Sequence, residues 1–186
     1  TLSAREWLGV MLQYLGLSLT PEAIRSVEIR MEENVLSDTP LLLPEARAVL
    51  ETLSHRYRLA IISDTGITPG RVLRQVLESD GLADYFTHLT FSDEIGRSKP
   101  HPDAFLSTLA ALEVEPAQAV HVGDLLRTDI AGAQNVGMRG VQFIGVNHDG
   151  WPATTDHAAA SSVIPDAVIR THPELRPLLQ RWSNGA

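Results

Sequence analysis

Three short polar segments carry residue types that could bind a phosphate group or a metal ion. The first is Ser63-Asp64-Thr65-Gly66, which follows the apolar pair Ile61-Ile62. A hydroxyl and several backbone N–H groups lie close together here, and such groups can contact an anion. Serine, aspartate and glycine are also common turn formers, so this segment alone is more typical of an ordinary turn.

The second segment holds one lysine between a glycine and two prolines, in Gly96-Arg97-Ser98-Lys99-Pro100-His101-Pro102. Proline restricts its own φ angle and pushes the preceding residue out of the helical region. Lys99 is therefore expected on a stiff backbone. A rigid lysine suits a fixed anionic partner, although a solvated loop lysine is an alternative interpretation of this segment by itself.

The third segment contains two carboxylates five residues apart, Asp124 and Asp129. Asp129 is expected in the first turn of a helix, where the helix dipole favours an acid. Asp124 comes directly after an apolar strand and has no such explanation. A carboxylate there could hold Mg²⁺, which takes one or two carboxylates together with waters and phosphate oxygens.

The elements that position these segments alternate between strand and helix. Apolar runs rich in β-branched residues predict strands at 58–63, 87–92, 119–123, 141–146 and, as a last short strand, 166–169. Apolar residues at helical spacing predict intervening helices around 72–77, 105–112 and 130–136, and a terminal helix at 175–182. Strands separated by helices favour an α/β fold with a parallel sheet covered on both faces. Ligands bind such sheets at the carboxyl ends of the strands.

The first part of the chain is predicted to be helical. Leu8, Met11, Leu12 and Leu15 form a stripe that ends at Gly16. A second helix is expected from Thr20-Pro21, with Thr20 as its N-cap and with an apolar stripe of Ile24, Val27, Met31 and Val35. A third helical stripe covers 46–53. A domain boundary is expected near residues 38–44, where Pro40 and Pro44 bracket a short apolar linker.

Composition excludes several classes of protein. The chain has 186 residues, no cysteine and a net charge of −8, which excludes a disulfide framework and a zinc-thiolate site. The acidic balance works against nucleic-acid binding, and no apolar run has the roughly 18 residues that a membrane span needs. We therefore expect a cytoplasmic protein. The seven histidines include no pair at zinc-ligand spacing and are interpreted as structural or surface groups; oligomeric state is not predictable.

Together and in this order, the segments resemble the haloacid dehalogenase-like (HAD) hydrolase superfamily, in its branch with a helical cap. The similar motifs are the strand ending at Ser63, then Gly96-x-x-Lys99-Pro100-x-Pro102-x-x-Phe105, then Val122-Gly123-Asp124-x-x-x-x-Asp129-x-x-Gly132-Ala133-x-x-x-Gly137-Met138. The resemblance covers roughly residues 3–182. It implies a three-layer, Rossmann-like parallel sheet core at 43–186 and a partial helical cap at 1–42.

The resemblance also implies a reaction and roles for individual residues. It implies Mg²⁺-dependent hydrolysis of a small phosphorylated metabolite through an aspartyl-phosphate. Ser63, with Asp64 and Thr65, would bind the phosphate, and Lys99 would pair with phosphate and nucleophile. Asp124 would ligate Mg²⁺, and Asp129 would ligate the ion or orient its waters. Within the superfamily, the Gly123-Asp124 pair favours phosphatase over dehalogenase chemistry.

One departure concerns the nucleophile. Members of the superfamily carry it in an Asp-x-Asp motif at the end of the first strand, and no aspartate of this sequence has a second aspartate two positions later. That strand would lie between those carrying Ser63 and Asp124. We therefore expect the sequence to be a piece of a longer protein and to be inactive as given. The alternative is a natural inactive member that binds a phosphorylated ligand or a protein partner.

Overall fold

The computed structural model describes residues 2–145 and 162–184. Its helices are α1 (Ala4–Leu15), α2 (Pro21–Ser37), α3 (Ala46–Ser54), α4 (Gly70–Ser79), α5 (Ser92–Ile95), α6 (Pro102–Leu112), α7 (Ala131–Asn135) and α8 (Leu175–Asn184). A π-helical turn, Leu126–Ile130, runs into α7, and short 3₁₀ turns cover Ala83–Tyr85, Pro116–Gln118 and His172–Glu174. None of the described helices combines the length and apolar character needed to cross a membrane.

The strands are β1 (Ala60–Ser63), β2 (His88–Phe91), β3 (Val120–Gly123), β4 (Arg139–Phe143) and β5 (Ala167–Ile169). All described pairings are parallel, which confirms the predicted α/β class. Each predicted strand is present. The fourth begins at Arg139, two residues earlier than predicted, and its predicted last residue, Val146, lies outside the described residues.

The strands form two sheets, in the orders β1-β2 and β3-β4-β5. Among the described residues β1 pairs with β2 alone and β3 pairs with β4 alone, so no hydrogen-bonded ladder joins β1 to β3. All four residues of β1 are only partly buried, and Val122 of β3 is exposed. The interruption lies between β1 and β3, where the resemblance places the strand that carries the nucleophile in the superfamily.

Helices cover both faces of the second sheet. On β4, Gly140 lies against Ile130, at the start of α7, while its neighbour Val141 packs against Leu53 of α3 and Leu175 of α8. Successive residues of a strand point to opposite faces, so α7 lies on one face and α3 with α8 on the other. The result is the three-layer arrangement that the sequence predicts.

The helix α6 supplies the core beneath the polar segments. Phe105 is fully buried and packs in a cluster with Ala104, Leu109 and Ala133. Gly132 allows α7 to approach this ring closely, since a Cβ atom there would lie 2.6 Å from Phe105. This contact holds the segments containing Lys99 and Asp129 against each other.

The two N-terminal helices form a hairpin. Ser3 caps α1 with a capping box. As predicted, α1 ends at Gly16, in the left-handed region, and Thr20 caps α2. The buried face of α2 differs from the predicted apolar stripe. Glu28 is buried because Arg5 donates two hydrogen bonds to its carboxylate, whereas Val27 is exposed.

Candidate functional site

The loop after β1 forms one wall of the candidate site. Ser63 is the last residue of β1, pairs in register with Phe91 of β2 and is half-buried. Asp64 follows it, and its Oδ1 accepts a hydrogen bond of 2.9 Å from the backbone N–H of Lys99. The first and second polar segments of the sequence therefore meet at the carboxyl end of β1.

Asp93, at the start of α5, holds the rest of this loop in place. Its carboxylate accepts hydrogen bonds from the Thr65 hydroxyl at 2.8 Å and from the Gly70 N–H at 3.1 Å. The Thr65 N–H also donates to Ser92 Oγ at 2.8 Å. Thr65 is buried, and its hydroxyl helps to fix the loop through these hydrogen bonds. Its contact with substrate stays a prediction.

The Lys99 side chain lies between β1 and Asp129, which follows β3 in the chain. Its ammonium donates to the Ile62 carbonyl of β1 at 3.1 Å and to Asp129 Oδ1 at 2.8 Å. The side chain is 13% exposed, and the Lys99–Pro100 peptide bond is cis. The stiff backbone expected from the prolines thus presents the lysine between the ends of β1 and β3.

Asp129 is the most buried acid of the site, with 4% of its side chain exposed. Besides Lys99, it accepts a hydrogen bond from the Leu125 N–H at 3.1 Å and contacts His121 Nε2 at 3.1 Å. Gly123 makes room for this carboxylate, because a Cβ atom there would lie 2.4 Å from Asp129 Cγ. The glycine of the Gly123-Asp124 pair is therefore required by close packing.

The partners of Asp129 determine its ionisation. Burial by itself raises the pKa of this carboxyl, but the His121 hydrogen bond and the charge of Lys99 outweigh it and lower the pKa from 3.8 to about 2. Asp129 is ionised at neutral pH, when its negative charge faces the ammonium of Lys99.

Asp124 has a different environment. It directly follows β3 and is exposed, while Asp129 is buried. Both oxygens of the buried Asp129 contact protein donors, so Asp124 is the more accessible of the two carboxylates. Within residues 2–145 and 162–184, no group of three or more histidine or acidic side chains is arranged to hold a metal.

The structure brings Ser63, Asp64, Lys99 and Asp129 to one place, as the sequence predicts from the strand ends. Sequence reasoning missed two contributors. His121 was interpreted as a structural or surface group, and it is a buried contact of Asp129 whose ring also meets Phe105 edge-on. Its position on β3, two residues before Gly123, is the available signal, since residues i and i+2 share a face. Asp93 gave no signal beyond its place after a predicted strand.

Comparisons with known proteins identify the family. The family model for haloacid dehalogenase-like hydrolases matches residues 3–137. Glyceraldehyde 3-phosphate phosphatase from Pyrococcus abyssi is 42% identical over 102 residues, covering 54% of this chain and 42% of the relative. Ribulose-1,5-bisphosphate 5-phosphatase from Halopiger xanaduensis is 36% identical over 138 residues, covering 74% and 56%. The chain thus spans about half the length of these curated relatives.

Solved structures of HAD-family proteins have the same fold as this chain. A HAD phosphatase from Thermococcus onnurineus superposes with a TM-score of 0.63 at 31% identity, covering 92% of this chain and 69% of that one. An L-2-haloacid dehalogenase from Xanthobacter autotrophicus superposes with a TM-score of 0.65 at 21% identity, covering 95% and 74%. The second likeness shows the fold alone, so the fold does not choose between the two chemistries. The chain belongs to the haloacid dehalogenase-like hydrolase family.

Proposed function

We propose that the protein hydrolyses phosphate monoesters of small metabolites, with Mg²⁺ as its cofactor, in the cytoplasm. The observation that carries this proposal is the position of Lys99, whose ammonium lies between the ends of β1 and β3 within reach of Asp129 and the Ile62 carbonyl. The names of the phosphatase relatives support a phosphorylated substrate.

The chain's own residues would bind and orient the phosphoryl group. The Ser63 hydroxyl, at the end of β1, would donate a hydrogen bond to a phosphoryl oxygen, and the Lys99 ammonium would offset its negative charge. Asp129 holds that ammonium in place and remains charged at neutral pH. Phosphoryl transfer depends mainly on such positioning and charge stabilisation. The proposed nucleophile is an aspartate on a strand between β1 and β3, which this sequence does not contain.

Asp124 is the residue that would hold Mg²⁺. It is an exposed carboxylate at the carboxyl end of β3, and Mg²⁺ commonly takes one or two carboxylates with waters and phosphate oxygens. When bound, the ion would neutralise charge on the transferring phosphoryl group. Asp129 is buried, and because its oxygens are engaged by Lys99 and Leu125, it is better suited to orient the ion's waters than to ligate the ion.

Turnover of p-nitrophenyl phosphate by protein expressed from the full gene, with its intact mass measured, tests this proposal. We expect Mg²⁺-dependent turnover, and a loss of about a hundredfold or more in kcat for Lys99→Met, as for removal of an oxyanion-stabilising donor. Arg97→Met is the matched control, because Arg97 is an exposed cation in the same loop. Equal activity of the two variants, or turnover indifferent to Mg²⁺, would overturn the proposal.

A binding experiment isolates the phosphate site from turnover. Lys99 is the only lysine of the sequence, so protein labelled with ¹³C at lysine Cε shows a single side-chain resonance. Titration with inorganic phosphate in the presence of Mg²⁺ is expected to shift this resonance, and Asp124→Asn is expected to weaken the Mg²⁺ dependence while leaving the fold intact. A resonance that phosphate leaves unmoved would contradict the role given to Lys99.

A further inference from the structure

His121 is a buried polar side chain on β3 that contacts both the candidate site and the core. Its side chain is 10% exposed. Its Nε2 lies 3.1 Å from Asp129 Oδ1, and its ring meets the Phe105 ring edge-on, with the two centroids 5.2 Å apart. Burying a polar group is costly unless it is hydrogen-bonded, so packing alone would favour an apolar residue at this position. The contact with Asp129 is therefore the feature that sets His121 apart from an ordinary core residue.

His121 is the donor in its hydrogen bond with Asp129. Burial raises the pKa of the Asp129 carboxyl, but the His121 hydrogen bond and the charge of Lys99 lower it to about 2, so the carboxylate is ionised at neutral pH. An ionised carboxylate can only accept hydrogen bonds. The proton between the two groups therefore belongs to Nε2 of the imidazole.

Three donors hold the Asp129 carboxylate in one orientation. Its Oδ1 accepts from His121 and, at 2.8 Å, from the Lys99 ammonium, while its Oδ2 accepts from the Leu125 N–H at 3.1 Å. Gly123 shares a face of β3 with His121 and lets the carboxylate lie close to the strand, because a Cβ atom there would be 2.4 Å from Asp129 Cγ. His121 and Leu125 fix the carboxylate independently of Lys99.

The direction of the Lys99 ammonium depends on that carboxylate. A lysine ammonium has three N–H donors, and two of them go to the Ile62 carbonyl at 3.1 Å and to Asp129 Oδ1. These two acceptors set the direction of the third donor, which remains for a phosphoryl oxygen. The Ile62 carbonyl belongs to the backbone of β1 and is held by the strand. Asp129 is a side chain, and its other donors must hold it.

We propose that His121 is a positioning residue for phosphoryl transfer, and that its Nε2–H holds the Asp129 carboxylate in the orientation that aims the Lys99 ammonium at the phosphoryl group. This inference rests on the proposed function and adds one residue to its site. His121 acts through Asp129 in this role, since its own side chain is buried. Loss of the donor should lower kcat by about tenfold or more, the effect typical of residues that orient functional side chains.

Two substitutions of His121 separate hydrogen bonding from packing. His121→Gln keeps an N–H donor near the position of Nε2 and loses the ring, whereas His121→Phe keeps an aromatic ring against Phe105 and loses the donor. Turnover of p-nitrophenyl phosphate with Mg²⁺ is measured on protein expressed from the full gene. We expect His121→Gln to retain kcat within about threefold and His121→Phe to lose about tenfold or more. A purely structural role of the ring would give the opposite order.

Thr108→Val is the matched control for the loss of a buried hydrogen bond. The Thr108 hydroxyl, on α6, is buried and lies 2.6 Å from the hydroxyl of Thr90 on β2. The variant removes this contact outside the site and should keep the wild-type kcat. Circular dichroism melting establishes that each variant folds, and His121→Leu is the donor-lacking variant if His121→Phe does not fold.

The outcomes separate the two proposals. Activity that is retained in His121→Gln and lost in the donor-lacking variant, with Thr108→Val active, supports the role of His121. A donor-lacking variant as active as His121→Gln, or an equal loss in Thr108→Val, overturns that role and leaves the proposed phosphatase site standing. A wild-type protein that does not turn over the phosphate ester overturns the proposed function and the inference with it.

Discussion

Asp129→Asn removes the charge from the most buried acid of the candidate site while keeping its size. The wild-type carboxylate accepts hydrogen bonds from Lys99 and Leu125 and contacts His121. These partners lower its pKa from 3.8 to about 2. At 1.36 kcal/mol per pKa unit, this corresponds to about 2.5 kcal/mol of folding stability at neutral pH. The variant also leaves the Lys99 ammonium without its counter-charge, so the loss should be at least of this order.

The pH dependence follows from the direction of the pKa shift. Because the folded-state pKa is lower than the unfolded one, the stabilisation by Asp129 is complete above about pH 5 and is lost as the pH falls toward 2. About half of it should be gone at pH 3. The difference in unfolding free energy between wild type and Asp129→Asn should therefore shrink over this range.

Urea unfolding followed by circular dichroism at pH 7, 4 and 3 measures this difference. Asp84→Asn provides the control, since Asp84 is exposed and makes no side-chain hydrogen bond or ion pair with any other described residue. The control should change stability by less than about 0.5 kcal/mol. A destabilisation by Asp129→Asn that is equal at pH 7 and pH 3, or no larger than that of the control, would refute the reasoning.

Three further substitutions test the packing around the site by urea unfolding. Gly123→Ala should destabilise by about 1–3 kcal/mol, because its Cβ would meet Asp129; a neutral result would mean that the buried carboxylate can move. Asp93→Ala should cost about 1–3 kcal/mol by leaving the Gly70 N–H without its acceptor, and an unchanged midpoint would count against that contact. Arg71→Ala breaks exposed ion pairs and should cost less than about 1 kcal/mol, so a larger loss would show that α2 depends on it.

Local signals predict most of the fold. Apolar runs ending in polar residues predict the five strands, and the helix ends at Thr20 and Gly16 lie in local sequence patterns whose effects are confined to a few residues. Boundaries shift by one or two residues where pairing decides them, as at the start of β4. The prediction of an apolar buried face on α2 was wrong, because an ion pair with Arg5 buries Glu28 there in place of an apolar residue.

The sequence by itself determined the parallel α/β class and the three polar segments, because apolar periodicity and the chemistry of side chains after strands are local properties. Only the tertiary structure decided what those side chains contact. It separated the two acids of the third segment, burying Asp129 against Lys99 and leaving Asp124 exposed. It also added His121 to the site. These contacts join residues that are 8 to 30 positions apart in the chain, and the packing of helices on the sheets sets their distances.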